Sequence, residues 1–359
     1  MSRRKDMNLL TTIVAASIAS GTCYADTNVE SMRAAETREM IREVLAESAT
    51  HTSLRDGVHR DFTFTPTGFV QFRYLYNDGD DLDVRQGFDV RKAAFGFKGR
   101  LQLGDGFASY KFTAEVGSNT DFRLRDAYIR NDFGFATVKV GQFKTQFMSE
   151  VNVSTPDTLI GDYSIVSYTF GQGRSQGVEL SKELGDFNLS GAYTDGFNSA
   201  NTEVTTDHDY GFVGRLSYGG LDWVDLGAAI AYNEAADMGV TSYTFDATFD
   251  LSDDLTSSVG YVARDGDADG WGAVGQVGYR VATNCQLFGM YEYGKIDSEV
   301  LNIATVGVNY DLCTNVRWTN SVGYSFEGVG ASWDVNDTGW SNNSEDGQYL
   351  VRSQITFSF

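Results

Sequence analysis

The sequence predicts an all-β protein: a 16-stranded antiparallel transmembrane β-barrel preceded by a short N-terminal helix. Three observations carry that prediction. From about residue 67 onward, apolar and polar residues alternate in segment after segment, and a period of two with one polar face marks strands with one wet side. The connections between segments alternate between short and long. The chain also closes on YLVRSQITFSF, where Tyr349, Val351, Ile355, Phe357 and Phe359 fall on one side and Arg352, Gln354, Thr356 and Ser358 on the other. A strand of that kind ending on Phe fits the closing strand of a barrel that meets lipid outside and water inside.

Composition agrees. The 359 residues include 39 Gly, 24 Phe and 19 Tyr but only 2 Pro, which suits many strands and tight turns. No apolar run of about 18 residues could cross a bilayer as a helix. A barrel remains allowed, because its lipid face uses only every second residue.

Residues 1–25 read as a secretory signal. Arg3, Arg4 and Lys5 give a positive start, residues 9–19 a mostly apolar core, and Cys23-Tyr24-Ala25 a small-residue cleavage site before Asp26. Cys23 also admits a lipoprotein signal, for which Thr22 is a poor neighbour. Residues 26–60 differ from the rest and predict a periplasmic helical segment. Met32, Met40, Ile41, Val44 and Leu45 form a loose helical stripe. Glu39 with Glu43, and Arg38 with Arg42, set like charges four apart. A coiled-coil stub in an oligomer and a simple tether both fit.

The barrel is expected over 61–359. Its sixteen segments fall near 68–76, 87–102, 108–118, 122–133, 136–142, 174–184, 186–194, 208–218, 224–233, 242–251, 255–264, 271–279, 285–296, 300–310, 316–327 and 349–359. The second and fourth alternate poorly, which predicts bulges. GDGF, NDFGF, LGD, GGLDW, SDD, VATN and LCTN make every even-numbered connection short. Most odd-numbered ones are longer, including 77–86, 143–173, 195–207, 234–241 and 328–348. Short turns on one rim and long loops on the other are the asymmetry of a bacterial barrel, with both barrel ends on the periplasmic side.

The third long connection, 143–173, keeps Phe147, Met148, Leu159, Ile160, Ile165 and Val166. A long loop with that apolar content can pack, and folded into the aqueous channel of a sixteen-stranded barrel it would narrow the bore. The alternative is an external loop covering the mouth. After signal removal Cys285 and Cys313 remain, and an even pair in an exported chain predicts a disulfide. The hairpin turn near Ser298 sets Cys285 opposite about residue 311.

GFVQFRYLY, FDVRKAAFGFKG, LRDAYIRN and VKVGQFKTQF, all within 68–180, resemble the phosphate-selective porin O and P family. The resemblance covers about a third of the chain. It implies a sixteen-stranded, often trimeric channel with basic residues lining the pore.

The formal net charge is -21, but it is uneven. Residues 60–180 hold 14 Lys/Arg against 15 Asp/Glu, and residues 181–359 hold 7 against 26. Arg73, Lys111, Arg123, Arg125, Arg215 and Arg352 are expected to point inward, with Lys144 at the start of the long loop. Such a row favours anions by Coulomb attraction, and arginine binds phosphate through a planar fork of donors. Asp225, Asp246 and Asp250 on polar strand faces suggest an opposing acidic wall.

Catalysis finds no support. His51, His59 and His208 sit in no ligand or triad spacing. DGDADG at 265–270 matches the first half of a calcium loop, but position twelve is Gln276 rather than Glu, so a solvated hairpin loop is the expectation. No cofactor, metal or nucleic acid is implied. The expected role is passive diffusion of small hydrophilic or anionic solutes through the bacterial outer membrane. The partners expected are outer-membrane lipid and lipopolysaccharide, the barrel-assembly machinery and two further copies in a homotrimer. The alternative is a closed barrel that anchors the envelope.

Overall fold

In a computed structural model, residues 62–359 are described apart from 80–81, 104–105, 118–121, 203–208, 236–237, 267–268, 343 and 345–346. The expected signal, the helical segment 26–60 and all three histidines lie outside the described residues.

Sixteen strands follow in chain order: β1 (Thr65–Gly79), β2 (Arg85–Leu103), β3 (Gly106–Gly117), β4 (Phe122–Asp132), β5 (Thr137–Lys144), β6 (Arg174–Leu184), β7 (Phe187–Thr194), β8 (Tyr210–Leu221), β9 (Val224–Ala235), β10 (Met238–Ser252), β11 (Leu255–Asp265), β12 (Gly270–Ala282), β13 (Cys285–Ile296), β14 (Glu299–Cys313), β15 (Val316–Ser325) and β16 (Gln348–Ser358). Each pairs antiparallel with its sequence neighbours, and β16 closes the barrel on β1 from Phe69↔Ser358 to Gly79↔Gln348. Closure removes every open edge, so each backbone polar group in the membrane finds a partner.

The alternation sorts the faces as expected. On β16, Tyr349, Ile355 and Phe357 are exposed outward, while Arg352, Gln354 and Thr356 are buried inside. Phe72, Phe245, Leu226 and Tyr324 likewise stand on the outer surface, where lipid is the solvent. Lys182, an exception on the oily face, donates to the Gly134 carbonyl at the short turn after β4 (2.7 Å) and so carries its charge to the rim.

Both predicted bulges are present, and each sets two consecutive residues on the luminal side. Gln71 pairs with Lys92 and Phe72 with Val90, leaving Arg91 as the extra residue on β2. Thr113 pairs with Asp126 and Ala114 with Leu124, leaving Arg125 as the extra residue on β4. An extra residue breaks the period of two. Gln71 and Thr113 are luminal, so Lys92 and Asp126 opposite them are luminal too. Arg91 and Arg125 keep the inward direction of Asp89 and Arg123 two residues before them, and the bulges bring the next residues, Lys92 and Asp126, inside as well.

The short rim is as expected. One connection on the long rim is not: residues 234–241 were expected to form a longer loop, but β9 runs to Ala235 and β10 starts at Met238. The strands simply continue, with Met238 pairing Ala235.

The loop 145–173 lies in the lumen. It contains the single-turn helices α1 (Ser149–Asn152) and α2 (Ile165–Phe170) and a 3-10 turn at Thr155–Asp157. Wall side chains hold its backbone from many directions. Arg215 donates to the Phe147 carbonyl (2.8 Å), Asn309 to Leu159 (2.8 Å), and Gln71 and Gln354 to Gly161 (2.9 and 3.0 Å). Gly161 has φ +70, and a Cβ there would lie 2.7 Å from the Gln354 amide nitrogen, so a side chain at this position would be strained and would displace that anchor. Phe147, Met148, Val151, Val166 and Phe170 pack with the luminal Val213, Ala229 and Val262 in one apolar cluster. The loop between β15 and β16 joins the same cluster through Trp333, Val335 and Trp340. Trp333 meets Phe170 edge-on (5.8 Å), and the Asp334 amide donates to Thr169 Oγ1 (2.9 Å).

Cys285 and Cys313 are both free, which corrects the expected disulfide. The predicted register was one residue off: Cys285 pairs with Tyr310. Cys313 therefore sits three residues further along, about 10 Å at strand rise, beyond the ~7 Å that a bridge spans.

Candidate functional site

The luminal charges divide into two groups. The first is buried under the loops. Asp162, on the loop, receives Arg91 Nε and Nη2 (3.3 and 3.4 Å) and the Tyr168 hydroxyl (2.5 Å), and Arg73 Nη1 lies 3.9 Å away. Arg73 also forks onto Asp89 (2.8 and 2.9 Å) and donates to the Asp337 carbonyl (2.6 Å). Arg91 pairs with the Asp337 carboxylate (3.2 Å), and Arg352 donates to the Thr338 carbonyl (2.7 Å). These arginines tie the loop 145–173 and the β15–β16 loop to one wall. Burial pushes the Asp162 carboxyl up, but the charges of Arg91, Lys92, Arg352 and Arg73 outweigh it and hold it below the usual carboxylate range. Burial first, then the Asp162 charge, push the Tyr168 phenol up, so it stays a donor.

The second group faces open space. A cavity of about 570 Å3 lies between the loop and the β2–β6 wall. Six basic side chains line it, Lys98, Lys111, Arg125, Lys139, Lys144 and Arg174, against two acids, Asp126 and Asp157. Asp126 takes Arg174 Nε (2.8 Å) and Lys111 Nζ (3.0 Å), Glu115 pairs with Arg125, and Glu179 takes Lys139 (2.5 Å). Lys144 has only neutral acceptors: the carbonyls of Val151 (2.5 Å) and Val153 (2.9 Å) and the Tyr163 hydroxyl (2.6 Å). Burial pushes the Tyr163 phenol up, which keeps it neutral. Lys98 is exposed and has no ion-pair partner among the described residues.

The residues predicted to line the pore therefore separate. Lys111, Arg125 and Lys144 line the basic cavity. Arg123 faces inward opposite Glu115 and is exposed at the long-loop end of β4, outside that cavity. Arg73, Arg215 and Arg352 point inward as expected but are 3%, 8% and 5% exposed. They serve as loop anchors, not as an open cationic row. Arg215 spends its fork on Asp246 (2.7 and 2.8 Å) besides holding Phe147. The expected acidic wall is thereby neutralised at Asp246. Sequence reasoning missed Arg91, Lys92, Lys98, Lys139 and Arg174. For Arg91 the available signal was the poor alternation of its segment.

At 265–270, Asp265 ends β11 and Gly270 opens β12, so strands flank the acidic run. A helix-flanked calcium loop does not form there.

The comparisons fit this geometry. A family model described as Gram-negative porin matches residues 11–345. No curated protein matches the chain. Among solved structures, the anion-selective porin from Comamonas acidovorans is 15% identical, with TM-score 0.65, covering 83% of this chain and 100% of that one. OmpF of Salmonella typhi, solved with daunomycin, is 14% identical with TM-score 0.63, covering 82% and 97%. In-vitro folded OmpT of Vibrio cholerae, a trimer form, is 14% identical with TM-score 0.57, covering 83% and 100%.

Proposed function

Because the chain belongs to the Gram-negative porin family, an outer-membrane channel for solute diffusion, we propose that its traffic consists of small hydrophilic solutes with a preference for anions. The observation that carries this reading is the basic cavity, whose six basic side chains outnumber the four carboxylates that line it or pair with them, Asp126, Asp157, Glu115 and Glu179. In a confined space with low-dielectric walls, such a surplus raises the local anion concentration. Solutes move down their own gradients, which requires a channel rather than an enzyme.

Phosphate is the narrower reading, in line with the likeness to phosphate-selective porins O and P. It rests on Lys98 as a point charge, since Arg125 is committed to Glu115, Arg174 and Lys111 to Asp126, and Lys139 to Glu179. That favours a diffuse anionic preference over a forked phosphate cradle. A homotrimer is proposed by analogy with the trimeric OmpT, with lipid and lipopolysaccharide around it, insertion by the barrel-assembly machinery, and residues 26–60 as a periplasmic tether following a cleaved signal, 1–25.

Planar-bilayer recording tests the reading. In a KCl gradient the reversal potential is expected on the chloride side, and phosphate is expected to compete with chloride without saturable block. A reversal potential on the potassium side overturns the anion preference. Absence of ohmic current leaves the closed barrel, which the apolar packing of both loops would then explain.

A further inference from the structure

We propose that the lumen holds a second solute site, apart from the basic cavity: a pocket beneath the loop, against β10–β12, that takes an uncharged hydroxylated solute such as the ring of a sugar. The proposal rests on the channel reading only in requiring a water-filled lumen.

Two adjoining cavities of about 220 and 320 Å3 occupy this side, and both border Asp157, Leu159, Thr248, Ser258 and Gln276. The larger falls at the lower end of the ~300–1,000 Å3 typical of small-molecule pockets. The ladder sets Thr248 opposite Ser258 and Ser258 opposite Gln276, a row of neutral hydrogen-bonding side chains across three strands, all on the luminal face. One register further toward the short rim lies Thr256, opposite Asp250. The hydroxyls of Thr248, Thr256 and Ser258 have no protein partner among the described residues, so they are available to a solute or to water.

Three charged groups on this side, Asp157, Asp250 and Arg280, have no ion-pair partner among the described residues, and the others are spent. Asp246 is held by Arg215 and Arg317 by Asp311. Glu150 accepts from the Ser164 amide and hydroxyl, the Ser167 hydroxyl and Gln276 Nε2. A mobile ion entering this side therefore finds charges of both signs, Asp157 and Asp250 against Arg280, and no basic surplus like that across the loop. Gly260 leaves the wall flat, and Leu159 offers an apolar patch for the C–H face of a ring. Toward the long-loop rim the side is sealed by Phe147, Met148, Val151 and Val166 packed on Val213, Ala229 and Val262. The pocket is thus blind, opens toward the short-turn rim, and receives its solute from the periplasmic side.

Saturation-transfer NMR on the purified full-length protein with glucose as the probe tests this, alongside chloride conductance in a bilayer. Transfer to glucose is expected from the wild type and from Lys111→Ala. It is expected to be lost in Ser258→Trp, which fills the pocket, and to weaken about fivefold in Thr248→Val and Gln276→Ala, each of which removes one hydrogen-bonding group. Chloride conductance of Ser258→Trp is expected to match the wild type. No transfer from the wild type overturns the proposal, as does transfer that persists in all three pocket variants or falls equally in Lys111→Ala. A Ser258→Trp channel with half the chloride current places this side on the ion path and overturns the separation. Should Ser258→Trp fail to fold, the two smaller substitutions decide. Wild-type protein that carries no current would count against the channel reading alone, since the NMR arm judges the pocket without it.

Discussion

Arg73, Arg91 and Arg352 converge on Asp162 beneath two loops. Lys98, Lys111 and Arg174 stand on the same sheet a few strands away and face an open cavity. All six point inward, and strand geometry treats them alike. They differ in what lies above them. A guanidinium covered by a loop must be neutralised and hydrogen-bonded, because an unpaired buried charge costs several kcal/mol. A cation that faces water needs no partner, and its field is left to act on passing ions. Direction toward the lumen is therefore necessary for a pore charge but does not make one.

Asp162→Asn should break the anchoring side most severely. It strands Arg91 and its neighbours in a buried site, a loss of about 3–5 kcal/mol. Thermal unfolding should drop, and single-channel current should become larger and noisier as the loop loosens, with the chloride-to-potassium preference unchanged. A shifted preference with an unchanged melting temperature would reverse the roles assigned to the two groups.

Trp333→Ala should come next. Trp333 is 1% exposed, and removing a buried tryptophan costs about 3–5 kcal/mol, shared here with a loop that can relax. Limited proteolysis should then cut the β15–β16 loop faster while the barrel remains resistant.

The double substitution of Lys98 and Lys111 to Ala tests the open side. Stability should change by no more than about 1 kcal/mol, the worth of the partly exposed Lys111–Asp126 pair, while the reversal potential in a KCl gradient moves toward potassium. An equal loss of stability would make these residues anchors as well.

The smallest effect is that of pH on the latch. The Asp162 carboxyl is held below its ordinary value, so its contribution is complete above an unfolded value of about 3.9 and is lost only as pH falls through the lower folded value. Loop protection by hydrogen exchange should therefore be flat from pH 7 to about pH 4 and decline only below that. Earlier decline would mean that another group holds the latch.

Much of the fold was legible because a strand writes its geometry locally. Period two in FDATFDLSD and VRWTNSVGYSF reports which side is wet, and YLVRSQITFSF, set against the fifteen earlier segments, fixed the parity of β16. The poor alternation of the second and fourth segments marked the bulges at Arg91 and Arg125. The candidate site was less legible. Alternation gave Arg73, Arg215 and Arg352 their inward direction, yet their partners Asp162, Asp337, Asp246 and the Phe147 carbonyl come from distant parts of the chain. The free cysteines show the same limit. A hairpin register predicted to within one residue still could not tell whether Cys313 lies inside the reach of a disulfide.

The sequence by itself determined the sixteen strands, their order, the oily and wet faces and the rim that carries the long loops. Each of these follows from side-chain periodicity and turn length, which are local. Only the tertiary structure decided that both loops fold inward, that three arginines are anchors while Lys98 faces open space without an ion-pair partner among the described residues, and that the lumen is parted into a basic side and a mixed one. Those outcomes depend on which charges meet across the lumen and which apolar residues exclude water together, and neither is recorded in the order of neighbours along a strand.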